Sequence, residues 1–95
     1  MANVTVRVYA TLIEELGWRI KRVRVSDSAS LLEVLEKAGL RDVLLDANNR
    51  VRPMYKVLIN GRDADFAGGL SARVGDGDIV DVFPPVAGGV YAFPV

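Results

Sequence analysis

One stretch of this chain has the apolar spacing of an amphipathic helix, and segments with strand-like alternation lie on both sides of it. Its apolar positions recur at i, i+3, i+4 and i+7: Leu31, Val34, Leu35 and Ala38. Ser30 or Ser28 suits the N-cap of this helix, and Gly39 suits its C-terminal stop. Because a lone helix must bury its apolar stripe against a second layer, the chain has to fold as a sheet covered by one main helix.

The two segments before this helix, residues 3–9 and 18–25, alternate as strands do. The first directs three valines to one face and three alternate side chains to the other: Thr5, Arg7 and Tyr9. The second is less regular, and this predicts a bulge near Lys21 and Arg22. Residues 10–16 favour a short helical segment between the two strands.

The segments after the main helix predict a second short helix over residues 41–47 and three further strands: 55–60, 63–66 and 79–83. Asn60-Gly61 is the signal of a tight hairpin turn, and Pro84-Pro85 must end the last strand because proline cannot donate to a sheet. The predicted core consists of the inward-facing apolar residues of these elements: Val4, Val6, Val8, Leu31, Val34, Leu35, Val57, Ile59, Val80 and Val82.

The order of elements is two strands, a helix and then further strands, in a chain of 95 residues that holds one domain. A helix packed on one face of a small mixed sheet satisfies this order and the handedness of strand crossovers. The sequence therefore predicts an α+β protein with a β-grasp, ubiquitin-like fold, a mixed sheet of four to five strands and one main helix. We expect the domain to span residues 1–87, followed by an arm with an extension over residues 88–95.

Composition removes most enzyme classes. The chain has neither Cys nor His, so thiolate metal sites, disulfides, Cys nucleophiles and His-based triads are excluded, and we expect no metal and no cofactor. Twelve basic residues balance twelve acidic ones, which argues against nucleic acid or an anionic membrane as the partner. The N-terminal residues do not have the pattern of a signal peptide, and the expected location is the cytoplasm.

Several motifs have simpler explanations than a catalytic site. Asp76 and Asp78 flank Gly77 at a predicted turn, where backbone geometry by itself favours these residue types. Gly68-Gly69 lacks the following Lys and Ser/Thr of a phosphate-binding loop. A basic run on the second strand is typical of solvated edge charges, with partner docking as the alternative: Arg19, Lys21, Arg22 and Arg24.

Gly88-Gly89 follows the proline pair, so the chain leaves the sheet before reaching it, and two glycines let a backbone enter a narrow channel without side-chain clashes. Residues 76–89, DGDIVDVFPPVAGG, closely resemble the ending of the small subunit of molybdopterin synthase. Residues 6–12, the helix after Ser30 and residues 57–61 fit the same family in order. Over residues 3–89 the chain thus resembles the MoaD/ThiS family of ubiquitin-like sulfur carriers.

This resemblance implies a mechanism and partners. An ATP-dependent activating enzyme of the ubiquitin-activating type would adenylate Gly89, which would then carry sulfur as a thiocarboxylate, with Gly88 as its slim neighbour. The arm would enter the large subunit of molybdopterin synthase and deliver sulfur to a pterin precursor. Residues 90–95 follow Gly89 in this sequence, so either a processing protease removes them and exposes the Gly89 carboxylate, or this chain has lost the carrier chemistry. We favour processing.

The partner-binding surface is expected on the sheet face away from the helix. Strand alternation directs Tyr9, Leu58 and Phe83 to this face, where they would form an apolar patch with Pro84 and Pro85 beside it. The uncharged residues 90–95 could pack on their own domain or on a second copy, which would give self-association through the tail.

Three functional readings stay open at this point: a sulfur carrier for pterin cofactor synthesis, a protein modifier or tRNA-thiolation carrier, and a β-grasp binding module without carrier chemistry. The first two need the same fold and the same terminal glycine, so the sequence does not separate them.

Overall fold

Five strands form one mixed sheet in the computed structural model, which describes residues 1–85. The strands are β1 (Ala2–Val8), β2 (Ile20–Val25), β3 (Lys56–Ile59), β4 (Arg62–Asp63) and β5 (Ile79–Phe83). The helices are α1 (Thr11–Leu16), α2 (Leu31–Lys37) and α3 (Arg41–Leu44), and two short 3₁₀ helices cover Ala64–Ala67 and Gly69–Ser71. No helix within these described residues is long and apolar enough to cross a membrane.

The sheet order is β2-β1-β5-β3-β4, with β5 in the centre. β5 runs parallel to β1 and antiparallel to β3, while β1 with β2 and β3 with β4 form antiparallel pairs. Asn60 and Gly61 both have positive φ, 50° and 83°, as the predicted two-residue hairpin turn requires. The β-grasp fold expected from the order of elements is therefore confirmed.

Helix α2 covers one face of the sheet, and its ends are built as its sequence predicts. The Ser30 hydroxyl accepts a hydrogen bond from the Glu33 backbone N–H at 3.3 Å. After the helix, Gly39 has φ 81°, and the N–H of Leu40 donates to the Leu35 carbonyl at 2.9 Å, which closes the last turn. All ten predicted core residues are buried between the helix and the sheet.

Three local expectations were wrong. β2 pairs with β1 in continuous register and has no bulge at Lys21 and Arg22. Regular alternation therefore directs Lys21 to the helix side, where its ammonium donates to the Ala38 carbonyl at 3.2 Å and lies 4.5 Å from the Trp18 ring centre. The return arm of the hairpin is only the two residues of β4, and α3 ends at Leu44 instead of residue 47.

Candidate functional site

The sheet face away from α2, here called the outer face, is formed at its centre by β1, β5 and β3. Paired residues of neighbouring strands lie side by side on it, and the register joins Arg7 to Asp81 and Asp81 to Leu58. The alternation predicted for β1 is confirmed, since its four valine and alanine positions are buried on the helix side. Every outward residue of the predicted patch therefore lies on one surface: Tyr9, Leu58 and Phe83.

Tyr9 and Phe83 stack on each other where β1 and β5 end. Their ring centres are 4.4 Å apart and their planes differ by 11°. This pairing follows from the parallel register, because Val8 lies opposite Val82 and the next residue of each strand points to the outer face. Both side chains are half-buried, and aromatic pairs of this kind contribute about 0.5–1.5 kcal/mol beyond the area they bury.

A polar cluster lies beside this stack. The Arg7 guanidinium donates to both carboxylate oxygens of Asp81, from Nε at 2.6 Å and from Nη2 at 3.0 Å, and the Tyr9 hydroxyl donates to Oδ1 at 2.8 Å. Asp81 is only 6% exposed. Its hydrogen bond raises the pKa of Arg7 above the usual range. The pKa of Tyr9 is raised as well, first by burial of the phenol and then by its hydrogen bond to Asp81.

The outer face is thus less apolar than predicted. Sequence reasoning placed a hydrophobic patch here, but the carboxylate of Asp81 lies between Tyr9 and Leu58, which are half-buried and not fully exposed. Pro84 is buried and Pro85 is exposed, so of these two only Pro85 has its ring open to a partner. Asp81 was assigned no role from the sequence. Its position as a charged residue between two inward valines of the central strand was the available signal.

The turn before β5 uses its carboxylates for structure, as predicted. Asp76 accepts a hydrogen bond from the Asn3 backbone N–H at 2.7 Å, and Asp78 accepts from the Gly75 backbone N–H at 2.7 Å and from the Asn60 amide at 3.0 Å. Gly77 has φ 85°, a conformation that favours glycine. These bonds tie the start of β5 to β1 and β3, so the strand is held between its two neighbours from its first residue.

Gly88 and Gly89, the predicted reactive residues, lie outside the described residues, as do the boundary at residue 87 and the self-association expected of residues 90–95. Within residues 1–85, no group of three or more Asp or Glu side chains is arranged to hold a metal ion. A groove of about 550 Å³ lies between residues 49–57 and the two 3₁₀ helices, and none of the predicted site residues lines it.

Comparison with known proteins identifies the family to which this chain belongs. The model of the ThiS family matches residues 6–89. Small archaeal modifier protein 3 of Haloferax volcanii is 39% identical over 92 residues, which cover 92% of this chain and 99% of that protein.

Two crystal structures share the fold. SAMP1 from Haloferax volcanii has a TM-score of 0.79 at 25% identity, covering 92% of this chain and 99% of that one. A chain of the BexX/CysO complex from Amycolatopsis orientalis has a TM-score of 0.72 at 31% identity, covering 90% of this chain and 98% of that one. Together with the family match, these similarities show that the chain belongs to the ThiS family of ubiquitin-like sulfur carriers.

Proposed function

We propose that this protein carries sulfur as a thiocarboxylate on Gly89 after residues 90–95 have been removed. The observation that carries the proposal is the family match, which ends at Gly89. A carrier role also agrees with composition, since a chain without Cys or His offers little for independent catalysis but needs only a reachable terminal carboxylate to transport sulfur.

The chemistry belongs to an ATP-dependent activating enzyme. The Gly89 carboxylate attacks the α-phosphate of ATP and releases pyrophosphate, and a sulfide donor then displaces AMP from the acyl adenylate. Gly88 adds no side chain next to the reacting carbonyl. A partner enzyme is supported by the relative CysO, whose crystal structure is that of a complex with BexX. We propose the cytoplasm as the compartment, because it supplies ATP.

The folded domain, residues 1–87, binds the partner enzymes, and the arm that follows it carries the reacting carboxylate. β5 ends at Phe83, and the exposed Pro85 follows two residues later. A partner bound to the outer face therefore contacts the chain close to the point where the arm begins. Tyr9, Leu58, Phe83 and Pro85 are the proposed contact residues. The buried Pro84 contributes by directing the chain out of the sheet.

Residues 90–95 block this chemistry as long as they are attached. A peptide-bonded Gly89 has no free carboxylate, so a processing protease is a required partner. The tail is uncharged and has two aromatic residues, Tyr91 and Phe93, which makes it a distinctive substrate for such a protease.

Two acceptors for the activated glycine have specific support. The first is a pterin precursor bound to the large subunit of molybdopterin synthase, which is supported by the likeness of residues 76–89 to the small subunit of that enzyme. The second is a protein or tRNA target, which is supported by the 39% identity to a protein named as a small archaeal modifier. Sulfur is transferred to the pterin precursor or to a tRNA, whereas in a modifier a lysine amine displaces AMP from the Gly89 acyl adenylate and forms an isopeptide bond.

Intact-mass measurement of three chains tests the carrier proposal: the full chain, a chain ending at Gly89 and a chain ending at Gly88. Each is incubated with ATP, a sulfide donor and an activating enzyme that has been shown to act on another carrier. We expect only the chain ending at Gly89 to gain the mass of an oxygen-to-sulfur exchange. The chain ending at Gly88 should fail because its carboxylate falls about 3.5 Å short of the catalytic position.

The result that overturns the proposal is the absence of sulfur on all three chains, which would leave a binding module without carrier chemistry. The acceptor is decided by a second assay with the thiocarboxylated chain. Formation of a dithiolene pterin with the large synthase subunit supports the first acceptor, whereas lysine-linked conjugates in the native host support the modifier role.

A further inference from the structure

Strand β2 forms one edge of the sheet, and its outer side is a stripe of arginines. Among the described residues it pairs with β1 and with no other strand. Arg19, Arg22 and Arg24 are exposed, and Lys21, the fourth basic residue of the run, points to the helix side. The run that looked uniform in sequence is therefore divided: Arg22 and Arg24 lie on the outer face of β2, and Arg19 lies just before the strand. These three exposed arginines are called the arginine stripe.

The backbone of this edge also presents hydrogen-bonding groups. The Val8 N–H donates to the Arg19 carbonyl at 3.0 Å. Because hydrogen-bonded and non-hydrogen-bonded pairs alternate along an antiparallel ladder, Lys21, Val23 and Val25 direct their backbone groups to β1. The backbone groups that point away from the sheet then belong to the alternate residues: Ile20, Arg22 and Arg24.

The arginine side chains are not neutralised within the described residues. No carboxylate of residues 1–85 lies within ion-pair distance of Arg19, Arg22 or Arg24, although the chain has twelve acidic residues. Residues 86–95 contain no Asp or Glu that could do so. Arg7, on the neighbouring strand, is already paired with Asp81. The stripe is therefore a local positive surface on a chain whose net charge is zero.

Two features separate this edge from one that is merely protected against aggregation. Ile20, the first residue of β2, is 51% exposed beside Arg22, where a purely protective edge would carry another charge. A second copy of the chain is a poor occupant, because pairing two β2 edges would set arginines against arginines. Carboxylate side chains, by contrast, match the planar guanidinium groups.

We propose that the free edge of β2 binds an extended acidic segment of a partner protein, which adds to the sheet as a sixth strand. Its backbone pairs with Ile20, Arg22 and Arg24, and its Glu or Asp side chains face the two arginines on the outer face. Alternate residues of the segment lie on the helix side. This interaction involves neither Gly89 nor its activation, so it stands or falls independently of the carrier chemistry.

A nine-residue peptide of alternating glutamate and valine is the probe, titrated into the ¹⁵N-labelled full chain. We expect saturable chemical-shift changes along β2 and slower hydrogen exchange at the amides of Ile20, Arg22 and Arg24. The amides of Lys21 and Val23, already bonded to β1, serve as internal references. A peptide with lysine in place of glutamate should not bind.

Charge reversal supplies the matched control. The double variant Arg22→Glu/Arg24→Glu should bind the glutamate peptide at least tenfold more weakly. Arg62→Glu reverses an exposed arginine on the opposite edge strand, β4, and should leave the affinity for the peptide within twofold of the natural chain. The spectra report directly whether each variant is folded. Equal binding by the double variant, equal binding of the lysine peptide, or shifts without protection of the three edge amides would each overturn the proposal.

Discussion

The Asp81 carboxylate lies on the outer face but is almost inaccessible to solvent. Arg7 and Tyr9 donate its hydrogen bonds. Replacing Arg7 by Leu leaves this carboxylate short of donors, and we expect a loss of about 1–3 kcal/mol in the free energy of unfolding measured with urea. Adding Asp81→Leu should recover part of that loss, because the buried charge is then gone as well. A double variant as unstable as the sum of the two single variants would show that the two residues are not coupled.

Ionisation of the Tyr9 phenol should lower the free energy of unfolding at alkaline pH. Its pKa in the folded protein is raised, mainly by burial and also by Asp81, whereas a tyrosine in the unfolded chain ionises near pH 10. The contribution of the neutral phenol is therefore fully present below about pH 10 and is lost as the pH rises through the higher folded-state pKa. Between pH 9 and pH 11 the urea midpoint should fall further for the natural chain than for Tyr9→Phe. Equal falls would contradict this prediction.

Helix α2 is the element that covers the core on one face of the sheet. Leu35 is completely buried under it, and Leu35→Ala should lower the free energy of unfolding by about 2–5 kcal/mol. Leu32→Ala is the matched control, since it makes the same change in the same helix at a residue that is only partly buried. Urea unfolding should therefore show a clearly smaller loss for Leu32→Ala, and equal losses would mean that the buried face of the helix is misassigned.

On the scale of the whole molecule, the outer face is the surface that we propose for contact with a partner enzyme. Phe83→Ala removes half of the aromatic stack, and we expect the affinity for the activating enzyme to fall by about 1–3 kcal/mol in calorimetry. The same change also lowers stability modestly, because the stack with Tyr9 is lost. Phe66→Ala serves as control, since Phe66 is 91% exposed and lies outside the strands of this face. Equal binding by Phe83→Ala and the natural chain would remove the outer face from the proposed interface.

The elements of the fold could be predicted because they depend on neighbours in sequence. The alternation of valines in β1, the apolar spacing of α2 and the Asn60-Gly61 turn each reflect a local backbone preference, and the structure has all three. The turn around Gly77 was explained in the same way, by residues that suit its backbone conformation. Even the stacking of Tyr9 near Phe83 on one face follows once the parallel register of β1 and β5 is known.

What the sequence determined by itself was therefore the main strands, helix α2, ten residues of the core and the exclusion of thiol and imidazole chemistry. Only the tertiary structure decided how charged residues are used. Arg7 and Asp81 are 74 positions apart and meet because β1 and β5 are neighbours in the sheet. On the helix side of β2, Lys21 meets the Ala38 carbonyl at the end of α2. Long polar side chains find their partners across strands and helices, and no local pattern records which partner lies within reach.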